Sequence, residues 1–417
     1  MSYLLVRRHA SGWTAIGAVC VLLANELFLA QSTILLPEML LTFFVLAAIW
    51  AHVTGQRALL TITLTAAMLT KESGAVIAAV FLAWPIILTF CSKPGERAMW
   101  LKGILPPAVA VGITSIHFLF HYRFSGWFFY PGHTELITLG EKDVIFKAKW
   151  IFERIFEEQG MQILTLGGLM IAPMFWSGVG RWRSLLIGFL AVAVIKVLWA
   201  RWPSFGIGTL LGSGVLASVL FFLVVGTFGE ANASKSRVAG PIILQIMGYW
   251  LFCALNFLTD RYLLSLVPCL VILASISIWW AAVGRWPWVP PTLLISAAVL
   301  IALQLGTDGR VGDTKLSYVD DIAVHRQLVE HCDRNGLHDE MITGSFMDQT
   351  YMTDPRCGYT ISGRIFPSMS TRLEPGTAFA IIDPYTTDSV RLMMTEQGFK
   401  LVQRFEHGPA WVELHGR

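Results

Sequence analysis

The chain has 417 residues, of which 55% are hydrophobic and 14% are charged, and its mean hydropathy is +0.60. This composition excludes an ordinary soluble globular protein and predicts an integral membrane protein. The formal net charge is +3. Residues 1–305 contain 20 Lys and Arg against 12 Asp and Glu, whereas residues 306–417 contain 11 against 16. Because the balance of charge reverses at this point, we predict two domains with these bounds.

Apolar runs recur along the first domain at lengths that suit a bilayer. A helix needs about 20 apolar residues to cross, with a lower limit near 17. On this measure we predict about eleven membrane-spanning helices, the third of them short. They centre near Cys20, Phe44, Leu64, Val80, Gly112, Gly168, Ala191, Val215, Ile246, Leu270 and Ala298.

Basic residues in the short loops predict the orientation, because such loops stay in the cytoplasm. With a cytoplasmic N-terminus, the inner segments hold eleven basic residues against two acidic ones, Glu96 and Glu230. The eleven are Arg7, Arg8, Arg57, Lys93, Arg97, Lys102, Arg181, Arg183, Lys235, Arg237 and Arg285. We therefore expect the second domain on the outer face. The first membrane helix does the targeting, since residues 1–6 are too short for the apolar core of a signal peptide.

The outer loop of residues 122–160 contains an amphipathic stretch. Between residues 143 and 158, apolar side chains alternate with charged ones at helical spacing. This pattern is typical of a helix lying on the membrane surface, and it fits equally a lid packed on the outer domain.

Residues 306–417 have the pattern of a soluble α/β domain. Ser317 and Asp320 have the spacing of a capping box, and Asn335–Gly336 has the composition of a helix stop, so we predict a helix over residues 318–334. A second helix is predicted over residues 389–397. Short apolar runs, the candidate strands, occupy residues 341–342, 378–382, 401–405 and 411–414.

Two of the six cysteines lie in this domain. Cys332 falls on the apolar face of the predicted helix, and Cys357 lies in a loop rich in Pro and Gly. An outer, oxidising compartment favours a disulfide between them. The alternative is two unpaired thiols with Cys332 buried, because the sequence does not give the distance between their Cα atoms.

Charged residues at helix ends converge on the predicted outer face. A charge at mid-bilayer costs about 2.5–3.5 kcal/mol, so charges kept at the ends of apolar runs mark a site. Lys and Arg bind phosphate by point charge and by a bidentate fork respectively, and a carboxylate acts as a base or a metal ligand. The residues are Glu38, Lys71, Glu72, Arg123, Arg261 and Tyr262.

Three stretches carry a resemblance to a known superfamily. They are Arg7–Arg8 followed by LANELFLAQSTILLPEMLLTFF, then MLTKESG, then DRYLLSLVP. Together they resemble the GT-C superfamily of polytopic glycosyltransferases, in particular bacterial members similar to protein O-mannosyltransferases and to the aminoarabinose transferase acting on lipid A. The likeness covers residues 1 to about 305.

The resemblance implies a function at the bacterial inner membrane. Such enzymes take a sugar from a polyprenyl-phosphate carrier and pass it to an acceptor on the outer side, and they commonly carry a periplasmic C-terminal domain. By position, Glu38 matches the second acidic residue of the family's active cleft. Lys71 and Arg261 match residues that bind the carrier phosphate. The acceptor is a lipid, a glycan or a protein, and we expect no nucleic-acid partner.

One departure from the family concerns catalysis. The family begins with a helix and a large outer loop that bears its principal catalytic Asp, whereas Arg7–Arg8 here matches the inner loop after the second helix. No residue matches that Asp. We expect that the chain lacks this segment, through a truncated gene start or as a natural remnant without catalysis, and that it is catalytically inactive or severely impaired.

Two other functions fit the same residues. A transporter or flippase for lipid-linked glycans needs the phosphate cluster without a catalytic carboxylate, although no internal repeat supports transport. A non-catalytic membrane scaffold would bind partners through residues 306–417. The sequence specifies no cofactor. Binding of a divalent metal ion by the carboxylates is an open alternative.

Overall fold

The structure is a computed structural model that describes most of the chain. The model is 71% helical. The described residues are 1–33, 36–91, 95, 97–128, 140–155, 159–161, 233–256, 259–282, 286–305, 314–384 and 386–417. The chain divides into two compact units, Met1–Leu305 and Gly306–Arg417. The division falls where the balance of charge changes along the sequence.

The first unit is a bundle of apolar helices around one core. Its described helices are α1 (Ser2–His9), α2 (Gly12–Ala24), α3 (Glu26–Thr33), α4 (Pro37–Thr54), α5 (Arg57–Thr70), α6 (Ala75–Cys91), α7 (Arg97–Leu101), α8 (Leu105–Ser125), α9 (Glu141–Glu153), α10 (Ala233–Leu255), α11 (Leu266–Ala282) and α12 (Val289–Ala302). Two 3₁₀ turns, Glu72–Gly74 and Asp260–Ser265, precede α6 and α11.

Helices that could span a membrane make up much of this unit. Within the described residues, five are long and apolar enough: Pro37–Thr54, Glu72–Phe90, Arg97–Ser125, Val238–Leu255 and Asp260–Trp280. The pair Gly12–Ala24 and Glu26–Thr33, bent by 74°, gives a sixth if it is one span. The first unit therefore has the helices of an integral membrane protein.

Eight of the eleven predicted segments fall on described residues, and each centre lies in a helix. Two of these helices, Arg57–Thr70 and Val289–Ala302, have only 14 residues, which is about 21 Å of helix against about 30 Å of hydrocarbon. The segments predicted near Gly168, Ala191 and Val215 lie outside the described residues.

The bend between α2 and α3 is fixed by hydrogen bonds. Asn25 Oδ1 accepts from Phe28 N, and its Nδ2 donates to the Gln159 carbonyl at 3.1 Å. Leu27 N donates to Gln159 Oε1 at 3.1 Å. The Asn25 and Gln159 side chains therefore accept hydrogen bonds from backbone N–H groups that have no partner within the interrupted helix.

The loop helix α9 packs against α10 of the same unit. Ile151 is fully buried in the core, whereas Phe146 on the other side is exposed. The helix begins two residues before the predicted start of 143 and covers α10 with its apolar side. The two predicted alternatives, a helix lying on the membrane surface and a lid packed on the outer domain, stay predictions.

The second unit contains a five-stranded sheet with helices. The strands are β1 (Ile342–Thr343), β2 (Met369–Ser370), β3 (Phe379–Ile382), β4 (Lys400–His407) and β5 (Ala410–Gly416). Their order is β2-β1-β3-β5-β4; β1 is parallel to β2 and β3, and β5 is antiparallel to β3 and β4. The helices are α13 (Tyr318–Arg334), α14 (Phe346–Thr353) and α15 (Asp388–Glu396).

One detail of this unit differs from the sequence analysis, and one of the open alternatives is found. The Ser317 side chain makes no capping hydrogen bond, because its backbone is already helical. A capping box is present instead at Ser345 and Asp348, which begins α14. Cys332 is buried and Cys357 half-buried, and both are free thiols. The structure thus has the unpaired alternative.

Gly74 is required for the close approach of two helix ends. A Cβ there would lie 2.2 Å from the Ala67 carbonyl oxygen, a backbone atom of α5. Gly112 in α8 has nothing within 4 Å of the same position and serves as the matched control. We expect Gly74→Ala to destabilise the protein by about 1–3 kcal/mol through overpacking, and Gly112→Ala to be neutral or stabilising. Unfolding in mixed detergent micelles measures both, and equal effects would contradict the close approach.

Candidate functional site

Glu38 lies in the first turn of α4, where the chain enters the helix. Pro37 occupies the first helical position, and its fixed φ suits a helix start. A carboxylate in this turn is stabilised by the positive end of the helix dipole. Glu38 is only 3% exposed, so its charge requires partners within the protein.

Lys71 supplies the first partner at the end of α5. The helix ends because the backbone becomes extended at Lys71, with φ −160° and ψ 147°, before the turn Glu72–Gly74. This change of direction brings the ammonium group toward α4. Lys71 Nζ lies 2.6 Å from Glu38 Oε1 and donates a hydrogen bond to it.

Arg261 supplies the second partner from the turn Asp260–Ser265. Its Nε lies 3.4 Å from the same Oε1 of Glu38. The neighbouring Tyr262 ring lies beneath the lysine, with Lys71 Nζ 3.8 Å from the ring centroid, a cation–π distance. We call Glu38, Lys71, Arg261 and Tyr262 the Glu38 cluster.

The charges of the Glu38 cluster are distributed asymmetrically. The Glu38 side chain is 4% exposed, that of Lys71 16% and that of Arg261 34%. One buried carboxylate therefore holds two cations whose outer surfaces reach solvent. The cluster carries one excess positive charge, and an anion can approach the cations from the solvent side.

A layer of buried polar groups lies beside the cluster. Tyr249 OH donates to Ser73 Oγ at 3.4 Å, and both side chains are buried. Gln245, one turn before Tyr249 on α10, is fully buried, and its amide has no hydrogen-bond partner among the described residues. Polar side chains thus continue from the turn after Lys71 into the bundle.

The structure separates one sequence-predicted residue, Arg123, from the cluster. Arg123 lies in the last turn of α8 with an exposed side chain, and it forms no ion pair within the described part of the chain. Glu72 begins the turn after Lys71 and is half-buried. Glu72 therefore directly neighbours the cluster through Lys71.

Two basic residues of the loop helix were missed as part of the site. Lys147 Nζ donates to the Asn256 carbonyl at 2.7 Å. Arg154 Nε lies 3.5 Å from Asp260 Oδ1, next to Arg261, and its guanidinium lies over the Trp150 ring. These contacts fix the segment that presents Arg261. The seven-residue spacing of Lys147 and Arg154 puts them on one helix face, which is the signal that could have found them.

Comparison with known proteins gives no assignment: no family model, curated protein or solved structure matches the chain.

The shared carboxylate should couple Glu38 and Lys71 energetically. Glu38→Gln leaves two cations facing each other and is expected to cost about 1–3 kcal/mol of unfolding free energy. Adding Lys71→Met relieves one charge, so the double variant should be more stable than the sum of the single effects by about 1 kcal/mol or more.

The control for this cycle is Arg57→Met, at the other, exposed end of α5. Combined with Glu38→Gln it should be additive within about 0.5 kcal/mol. Unfolding by SDS in mixed micelles gives the free energies. Additivity of the Glu38 and Lys71 variants as well would show that the two residues do not interact.

Proposed function

We propose that the protein is a membrane glycosyltransferase that takes a sugar from a polyprenyl-phosphate carrier. The observation that carries the proposal is the Glu38 cluster, in which one buried carboxylate fixes two partly exposed cations among the helix ends of the first unit. The resemblance to GT-C glycosyltransferases over residues 1 to about 305 supports the same function.

A phosphate monoester or diester fits this cluster. Arg261 has a planar fork that can donate two parallel hydrogen bonds, and Lys71 adds a point charge. Glu38 lies on the Nε side of Arg261, and the Arg261 side chain is 34% exposed, so a ligand can approach it from solvent. The apolar helices beside the cluster suit a prenyl chain.

In the proposed reaction, an acceptor hydroxyl attacks the anomeric carbon of the sugar. The bond between that carbon and the phosphate oxygen breaks with inversion, and the carrier phosphate leaves. The hydroxyl proton passes to a base, a role that the resemblance gives to an Asp that no residue here matches. Lys71 and Arg261 stabilise the negative charge that develops on the leaving phosphate. The burial and two ion pairs of Glu38 support a positioning role for it, in place of the catalytic role that the resemblance implies.

The proposal includes a location. The protein is a multi-pass protein of the bacterial inner membrane with about eleven spans and a cytoplasmic N-terminus. The Glu38 cluster and the second unit then lie on the periplasmic side, as the distribution of basic loops predicts. The acceptor there is a lipid, a glycan or a protein.

Binding of a short-chain polyprenyl phosphate to the purified protein in detergent tests the proposal. Lys71→Ala and Arg261→Ala each remove a charge-assisted contact worth about 1.5–3 kcal/mol, so each should weaken binding about tenfold to a hundredfold. Arg57→Ala is the matched control and should bind like wild type. Arg123→Ala should have little effect, because its side chain lies outside the cluster.

The polyprenyl alcohol of equal chain length is the ligand control, and its binding should not respond to these substitutions. Equal phosphate binding by wild type, Lys71→Ala and Arg261→Ala would refute the site. Proteoliposomes that contain a labelled polyprenyl-phosphate sugar separate transfer from transport. Release of the sugar to an acceptor, which should be slow because no residue matches the catalytic Asp of the family, supports the glycosyltransferase. Movement of the intact lipid without release supports a flippase.

A further inference from the structure

Three buried side chains converge at one edge of the sheet in the second unit. His325 lies on α13, Asp348 lies in the first turn of α14 after β1, and Asp383 directly follows β3. Each residue is less than 10% exposed. One ligand atom from each lies within 4.8 Å of the others.

The strand order places this cluster at a particular point of the sheet. The strands β2 and β3 lie on opposite sides of β1 and are parallel to it. Ligands bind open α/β sheets at the carboxyl ends of strands where the order reverses, which here is between β1 and β3. Gly344 permits the close packing there, since a Cβ would lie 3.0 Å from Asp348 Oδ2.

The orientation of His325 directs a lone pair at Asp348. Its Nδ1 lies 2.9 Å from the Asp321 carbonyl oxygen, so Nδ1–H donates there. The other nitrogen, Nε2, lies 3.2 Å from Asp348 Oδ1. Two lone-pair atoms at this distance repel unless a proton or a metal ion lies between them.

Hydrogen bonds from behind hold the two carboxylates in place. Asp348 Oδ2 accepts from Ser345 N at 2.8 Å, and Asp383 Oδ1 accepts from Thr386 Oγ1 at 2.8 Å. Asp348 Oδ1 is buried, and among the described residues it has no hydrogen-bond donor unless His325 Nε2 carries a proton. Such outer partners are the usual surroundings of metal ligands, as is a histidine whose second nitrogen donates to a carbonyl.

We propose that His325, Asp348 and Asp383 bind one divalent transition-metal ion, Zn²⁺ or Mn²⁺. Ligands at about 2.1 Å from a metal lie about 3.0–3.4 Å from each other, which agrees with the 3.2 Å between His325 and Asp348. One imidazole with two carboxylates suits Zn²⁺ or Mn²⁺, whereas Mg²⁺ and Ca²⁺ prefer oxygen ligands alone. The ion joins α13 to the start of α14 and the end of β3.

The alternative occupant is a proton on His325. Burial lowers the pKa of this histidine, but the hydrogen bond and charge of Asp348 and the charge of Asp321 outweigh burial and raise the pKa to about 9. A protonated imidazole would satisfy the same carboxylate. Direct metal binding distinguishes the two occupants.

The full chain, purified in detergent and freed of metal with a chelator, is titrated with MnCl₂ by electron paramagnetic resonance and with ZnCl₂ by calorimetry. Wild type should bind one equivalent of metal ion at this site. His325→Gln and Asp383→Asn should each weaken the binding of that equivalent at least tenfold. His331→Gln, also on α13 and half-buried, is the control and should bind like wild type. MgCl₂ should not compete at equal concentration.

Circular dichroism and gel filtration establish that each variant is folded. His325 and Asp383 lie on different elements, so the test still works when one of the two variants does not fold. Zn²⁺ should also raise the unfolding temperature of wild type and not that of Asp383→Asn. Equal metal binding by folded wild type and both variants, or no additional equivalent in wild type, would overturn the site and leave the proton as its occupant.

Discussion

A single carboxylate oxygen connects three helix ends of the first unit. Glu38 Oε1 contacts both the Lys71 ammonium and the Arg261 guanidinium, so the start of α4, the end of α5 and the turn before α11 meet at one atom. A buried charge without partners costs several kcal/mol. Each segment therefore depends on the other two, and the bundle cannot change this corner without exposing or unpairing Glu38.

The same constraint gives the site its chemistry. Because the carboxylate is buried and the cations are not, positive charge faces outward and the compensating negative charge does not. The contacts from α9 extend the arrangement, since Arg154 pairs with Asp260 beside Arg261. The proposed binding of the carrier phosphate rests on this asymmetry, and the apolar helices around the cluster suit the prenyl chain of such a carrier.

The sequence predicts much of the Glu38 cluster, because charges that interrupt or end apolar runs are visible without a structure. It does not predict which of them meet. Arg123 satisfies the same criterion, yet α8 leaves it exposed. The contacts of Lys147 and Arg154 join segments more than 100 residues apart, and no local pattern encodes such a pairing. The bend at Asn25 depends on Gln159 for the same reason.

In the second unit as well, the sequence predicts the local elements but not the contacts between distant segments. The helix over residues 318–334 has the predicted bounds, since apolar spacing and a Gly stop act locally. The strands β1 and β2 have two residues each, too few for alternation to show. The capping box at Ser345 was overlooked, and with it Asp348. The convergence of Asp348 with His325 and Asp383 arises only from the parallel strand order, which brings together residues that are distant in the sequence.

The most direct measurement of the central claim is an experimental structure of the protein in a lipid nanodisc with a bound short-chain polyprenyl phosphate. The account predicts phosphate oxygens at about 2.7–2.9 Å from the Arg261 guanidinium and the Lys71 ammonium, with Glu38 still paired to both. A phosphate held elsewhere, with the Glu38 cluster unchanged and unoccupied, would contradict it.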